Sequence, residues 1–159
     1  MSDVDHVVPL DIGCVPEAAV SGATLLGDEY LTYLLFNAMC ARPNGTREAA
    51  GLAVVKFDSC SVTKFGYPND EALPGHPLYA NGLSYYGVYE VLRSRWVAEK
   101  TRQNRVSFPP TPDDMTRRHF IFTFHDSTFE CLANGMEVRV TTEPWLQVVG
   151  AIVEELARH

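Results

Sequence analysis

With 159 residues, 46% of them hydrophobic and 21% charged, the chain has the size and apolar content of one folded domain, which excludes a disordered polypeptide. A net charge of −7, from 13 basic and 20 acidic residues, argues against binding to nucleic acid or to an anionic membrane surface, both of which rest on positive potential. No apolar run approaches the roughly 20 residues needed to cross a bilayer, and the first ten residues carry acids but no Lys or Arg, so a cytoplasmic protein is expected.

Residues 1–22 are acidic, broken by Pro and Gly and without period, and are expected to form a loosely ordered segment ahead of a single domain over 23–159. The stretch 29–39 (EYLTYLLFNAM) carries apolar residues on both parities, as does a strand covered on both faces, with a helix as the rival reading. The polar stretch RPNGTREAAG follows, with Asn44-Gly45 as its turn, and then a second strand over 52–64 with an irregularity near Asp58-Ser59.

Residues 66–82 (GYPNDEALPGHPLYANG) hold three Pro and three Gly, and a loop of that length in a compact domain is usually functional or disordered. Tyr67 and Tyr79 give it apolar surface of its own, which favours order. Tyr85, Val88, Tyr89, Leu92 and Trp96 have helical spacing and predict an amphipathic helix, and residues 104–116 read as a second Pro-rich loop.

The last third alternates cleanly. Phe120, Phe122 and Phe124 share one face of a strand, and a turn at Asp126-Ser127 brings Phe129, Cys131 and Ala133 to the same side. Asn134-Gly135 then predicts a hairpin to a third strand carrying Val138 and Val140. A final helix follows Pro144, with Trp145, Val149, Ile152, Val153 and Leu156 as its stripe. The expected fold is therefore α+β in two layers: one mainly antiparallel sheet of about five strands, its C-terminal three a meander, covered on one face by two amphipathic helices.

This pairing places His119, Thr123, His125, Thr128, Glu130 and Arg139 on the opposite, polar face, with Thr123 across from Glu130 and Glu130 across from Arg139. A histidine beside a carboxylate is the minimum equipment for proton transfer near neutral pH. His125 and Glu130 are the expected acid/base pair, with Arg139 as an anion anchor. If the 66–82 loop folds over this face, it adds His76 as a third catalytic group. Asp70, Glu71, Tyr67 and Tyr79 then join Thr123 as ligand-binding residues. An ordinary solvated face, with Glu130–Arg139 as a surface ion pair, is the competing reading.

No metal ligands are assigned, since no H-x-H, H-E-x-x-H or C-x-x-C spacing occurs, and no phosphate loop or dinucleotide fingerprint is present. Cys14, Cys40, Cys60 and Cys131 are far apart and read as free thiols. The expectation is a cofactor-independent acid/base enzyme of isomerase, cyclase or lyase type acting on a small molecule. Two alternatives stay open. One is a non-catalytic interaction module, such as an inhibitor, an immunity-type partner or an assembly subunit, including a homodimer formed through the sheet face. The other is an enzyme dependent on a divalent metal.

Overall fold

The structure is a computed structural model and describes residues 4–109 and 117–158, so most of the second Pro-rich loop and His159 lie outside the described residues. The elements run β1 (His6–Pro9), β2 (Cys14–Pro16), β3 (Thr24–Gly27), β4 (Thr32–Ala41), β5 (Arg47–Asp58), β6 (Val62–Gly66), β7 (Val88–Leu92), α1 (Arg95–Ser107), β8 (Arg118–Thr123), β9 (Thr128–Ala133), β10 (Gly135–Thr141) and α2 (Trp145–Leu156). The chain is α+β in the broad sense, mostly antiparallel sheet with two helices. Among the described residues no helix is long and apolar enough to cross a membrane.

The strands form two sheets rather than one. The first has the order β1-β7-β8-β9-β6, and the second β10-β5-β4-β2, with β3 also paired to β4. Their inner faces share one apolar cluster, in which Leu34, Phe36, Ala53, Val55 and Phe57 of the second sheet meet Phe120, Phe122, Phe129 and Cys131 of the first. Phe57 lies 5.9 Å from Phe122 and 5.4 Å from Phe129, and Phe36 lies 5.4 Å from Phe124, within the range of favourable aromatic pairs. The other parity of β4 and β5 (Tyr33, Leu35, Leu52 and Val54) is covered by Val148 and Ile152 of α2. Glu155 fastens that helix, accepting from the Tyr33 hydroxyl and from Lys56 Nζ at 2.6 Å. Strands that are apolar on both faces need two covers, and a second sheet supplies the one that helices were expected to give.

The Phe face forms as expected, but the meander does not. Asn134-Gly135 makes no hairpin between β9 and β10; there the chain leaves the first sheet for the second, where β10 pairs with β5. The neighbouring chain crosses the other way at residues 59–61, between β5 and β6. β5–β6 and β9–β10 therefore form one long antiparallel ribbon, bent across both sheets. Ser59 bends the chain with φ 51°, and the Asn134 N–H donates to the Asp58 carbonyl at 2.8 Å. Met136 and Val138 still face the core, which is why alternation alone made the hairpin plausible.

Two further expectations are corrected. Residues 88–92 form β7, not a helix: Val88 faces the inter-sheet core while Tyr89 and Val91 face the opposite cluster, and apolar residues on both parities imitate helical spacing. The helix begins only at Arg95, after Ser94, whose hydroxyl accepts the Val97 N–H as an N-cap. The acidic start supplies an edge strand to each sheet, through His6↔Leu92 and Cys14↔Cys40, and Asp5 accepts hydrogen bonds from the Arg95 backbone and side chain. Strands of three or four residues are too short to show a period.

A bulge on β5 sets the reach of the second sheet. The register slips between Ala38 and Met39, leaving Ala50 without a partner beside Gly51, whose φ is +112°. A Cβ on Gly51 would lie 2.4 Å from the Thr141 carbonyl oxygen of β10, whereas one on Gly45 (φ +84°) would meet open space. Gly51→Ala is expected to lower the unfolding free energy by more than about 1 kcal/mol in urea titration, and Gly45→Ala by clearly less.

Candidate functional site

The long loop folds back over the outer face of the first sheet. Its apolar residues Leu73, Leu78 and Leu83 pack on Val7, Tyr89, Val91 and Ile121, and short 3-10 turns at 73–75 and 79–81 shape it. This packing brings His76 onto Glu130. Leu78 N–H donates to His76 Nδ1 at 3.0 Å, so the ring proton sits on Nε2 and is donated to Glu130 Oε2 at 3.2 Å. On the other side His119 Nε2 lies 2.9 Å from Glu130 Oε1, and His119 Nδ1 lies 2.8 Å from the Ser94 hydroxyl that caps α1. Trp96 covers the His119 ring at 5.1 Å, with Lys64 Nζ 3.9 Å above the indole.

Glu130, His76, His119 and Ser94 are all buried. Burial pushes the Glu130 carboxyl up, but hydrogen bonds from His119 and His76 outweigh it and hold the group down at about 2. Both ring nitrogens of each histidine are taken up within this network. The trio has no nitrogen lone pair left to turn toward a substrate, and acts as a clamp between sheet, loop and helix.

A second constellation stands at the rim, where solvent reaches it. His125 lies in the β8–β9 turn, closed by the Phe124 N–H bond to the Ser127 carbonyl at 2.9 Å, and its side chain is 36% exposed. Its Nδ1 is 2.7 Å from Asp70 Oδ2, and the Asp70 backbone N–H donates to the His125 carbonyl at 2.9 Å. The Tyr86 hydroxyl donates to the same Asp70 oxygen. Tyr86 and His125 together hold the Asp70 carboxyl below its ordinary range, while the bond to Asp70 raises both His125 and Tyr86. Nδ1 is engaged by Asp70, and Nε2 lies 3.9 Å from Asp126 Oδ1.

Two open clefts flank this rim. One, of about 350 Å³, is lined by Val20–Ala23, Phe65–Tyr67, Phe124, Asp126 and Ser127. The other, of about 490 Å³, lies between the β1–β2 connection and Tyr85–Tyr89, with Asp11 and Arg47 as its charged lining.

The structure thus brings together His125 with Asp70, and His76 with Glu130, but separates His125 from Glu130. The β8–β9 register differs by two residues from the expected one: Thr123 faces Thr128, and Glu130 faces Ile121. A shift of two preserves the faces while changing every partner. Arg139 moves furthest, because β10 belongs to the other sheet; it lies exposed beside Glu143 at 3.5 Å and cannot anchor a ligand at Glu130. Thr123 is structural, accepting from Gly87 N–H and donating to the Ser84 carbonyl. Tyr67 is exposed on the smaller cleft, Tyr79 packs edge-on to Tyr85, and Glu71 is exposed, its charge raising His125 slightly. His119, Thr123, Thr128 and Glu130 of the polar face are buried beneath the chain's own loop. Among the described residues no group of three or more His, Cys, Asp or Glu is arranged to hold a metal ion.

Three residues had been given no role. His119 shares the parity of Glu130, which signalled its face but not its partner. Tyr86 was hidden in the helical reading of 85–96, and Ser94 lost its capping signal with it. Comparison with protein-family models, curated proteins and solved structures returns no match.

The clamp has a thermodynamic signature. Glu130→Gln sets an amide N–H against one of the two histidine donors and is expected to cost about 2–3 kcal/mol of stability in urea titration. The parent holds the Glu130 carboxyl well below 4.5, so its contribution is complete above that pH and is lost as the pH falls toward 2. The Gln variant should lack that part of the acid slope.

Proposed function

We propose that the chain is a small-molecule-binding domain that performs a cofactor-independent proton transfer, with His125 as the acid/base. The observation that carries this reading is the setting of one ring: Asp70 engages Nδ1 of a side chain that is 36% exposed, which leaves Nε2 as the nitrogen for a substrate. Such a carboxylate fixes the tautomer and stabilises the imidazolium formed when Nε2 takes a proton. Asp70, held in turn by the Tyr86 hydroxyl, takes the role expected of Glu130. The substrate lies in the cleft of about 350 Å³, whose lining includes the residues on either side of His125 and is of a size for a small metabolite. Isomerisation, cyclisation and elimination all need this equipment and no more. A reducing, cytoplasmic setting agrees with four free cysteines.

The reading is tested by NMR. The His125 titration midpoint is expected above that of an ordinary histidine and should fall in Asp70→Asn. In a metabolite screen read by chemical-shift change, ligands should perturb Phe124, Asp126 and Ser127 and lose turnover at least 100-fold in His125→Ala. A ligand whose binding and conversion ignore His125→Ala sinks the proposal.

An interaction module is the second reading, favoured by apolar exposure on α2, where Trp145, Leu146 and Val153 are 47%, 75% and 51% exposed. It would be supported by a solution mass above that of one chain that returns to the single-chain value in Leu146→Glu.

A further inference from the structure

The smaller cleft has a one-sided chemistry. Among the described residues its lining holds one charged side chain, Asp126, and no Lys, Arg or His. Two aromatic residues of the same lining stand open: Tyr67 is 82% exposed and Phe65 39%. Phe65 is held in place all the same, its ring edge-on to buried Phe129 at 6.1 Å. Exposed aromatic surface beside a single carboxylate is not what the core requires, and it is what an organic cation needs, because ring faces carry negative charge density.

The cations of the first sheet are used elsewhere. Lys64 Nζ lies 3.9 Å over the Trp96 ring, Arg118 binds Glu90 at 2.6 Å, and Arg95, just beyond β7, binds Asp5 at 2.9 Å. Acids gather around His125 instead. Its bond to Asp70 raises it most, and the charges of Asp126 and Glu71 add to the effect. An anion entering the cleft would meet the Asp126 carboxylate, in a chain whose net charge of −7 has the same sign. A cation gains from both, and loses nothing to a competing Lys or Arg in the described lining.

We propose that the substrate of this cleft is an organic amine, bound as its ammonium ion by the Asp126 carboxylate with its apolar part against Phe65 and Tyr67. The inference rests on the reading of His125 as the acid/base and names the substrate class for it. Asp126 Oδ1 lies 3.9 Å from His125 Nε2, so an ammonium held by Asp126 brings the carbon that bears it to the nitrogen that takes the proton.

The experiment titrates the full chain near neutral pH with 2-phenylethylamine, the matching anion 3-phenylpropionate and the neutral 2-phenylethanol, each followed by NMR. The amine should give saturable shifts at Phe65, Tyr67, Phe124 and Asp126, and the anion none. Asp126→Asn should weaken the amine about 10-fold, the loss of one charged contact in an open cleft. Saturation with the amine should also lower the His125 titration midpoint, because a neighbouring cation disfavours the imidazolium. The comparison of amine, anion and alcohol on the parent needs no substitution, so it stands even if Asp126→Asn disturbs the turn. Anion or alcohol binding as tight as the amine, no amine shifts in the cleft, or an affinity indifferent to Asp126→Asn would each overturn the proposal. A neutral or anionic compound converted only when His125 is present would sink the amine and leave the acid/base intact. An amine that binds through Asp126 but is converted equally well by His125→Ala would do the reverse.

Discussion

A carboxylate taken out of water must be given hydrogen bonds from every side, and Glu130 receives them from two histidines that belong to different parts of the chain. His76 brings the loop, and His119 passes the connection through Ser94 to the first turn of α1. The backbone of the loop is held in turn, because the Leu78 N–H that fixes the His76 tautomer belongs to the segment whose leucines cover the sheet. One buried charge thus locates a sheet face, a 3-10 turn and a helix N-terminus together. Its removal exposes two donors at once, which is why the site depends on it more than on any single apolar contact.

The same anchoring explains why the second constellation can be open. Asp70 lies six residues before His76 on the same loop, and its position over the β8–β9 turn is a consequence of where His76 is held. His125 needs no burial to be well placed: one bond to Asp70 fixes its ring, and the Asp70 amide fixes its carbonyl. A rigid base under a solvent-facing ring is the division of labour expected where loops carry chemistry on a scaffold.

The sequence revealed faces better than partners. The alternation of Phe120, Phe122, Phe124, Phe129 and Cys131 is a property of period alone and survives in the structure. Partner identity depends on where the turn is centred, and a turn centred on His125-Asp126, one residue earlier than expected, moved Glu130 from Thr123 to Ile121. Arg139 was lost for a different reason, since local pattern cannot tell a hairpin from a crossing between sheets when both leave the same residues facing the core. The long loop was legible, because Gly and Pro marked it and Tyr67 and Tyr79 favoured order, but its meeting with the polar face was only a condition, decided by the packing of Leu73, Leu78 and Leu83 on Val7, Tyr89 and Ile121. Tyr86 and Ser94 were not, because a strand covered on both faces and followed at once by a helix shows one unbroken helical spacing.

The pairing of β1 with β7 has a consequence for how the chain comes to be this shape. His6 can find Leu92, and Asp5 can find Arg95, only after everything between them has been laid down. During synthesis the β4–β5 hairpin is complete early, whereas β1 has no neighbour while the first half of the molecule emerges. Val7 then stays uncovered, a strand edge waiting in solution for the segment that will close over it. Such a topology makes the nascent chain, rather than the finished domain, the form most in need of a chaperone.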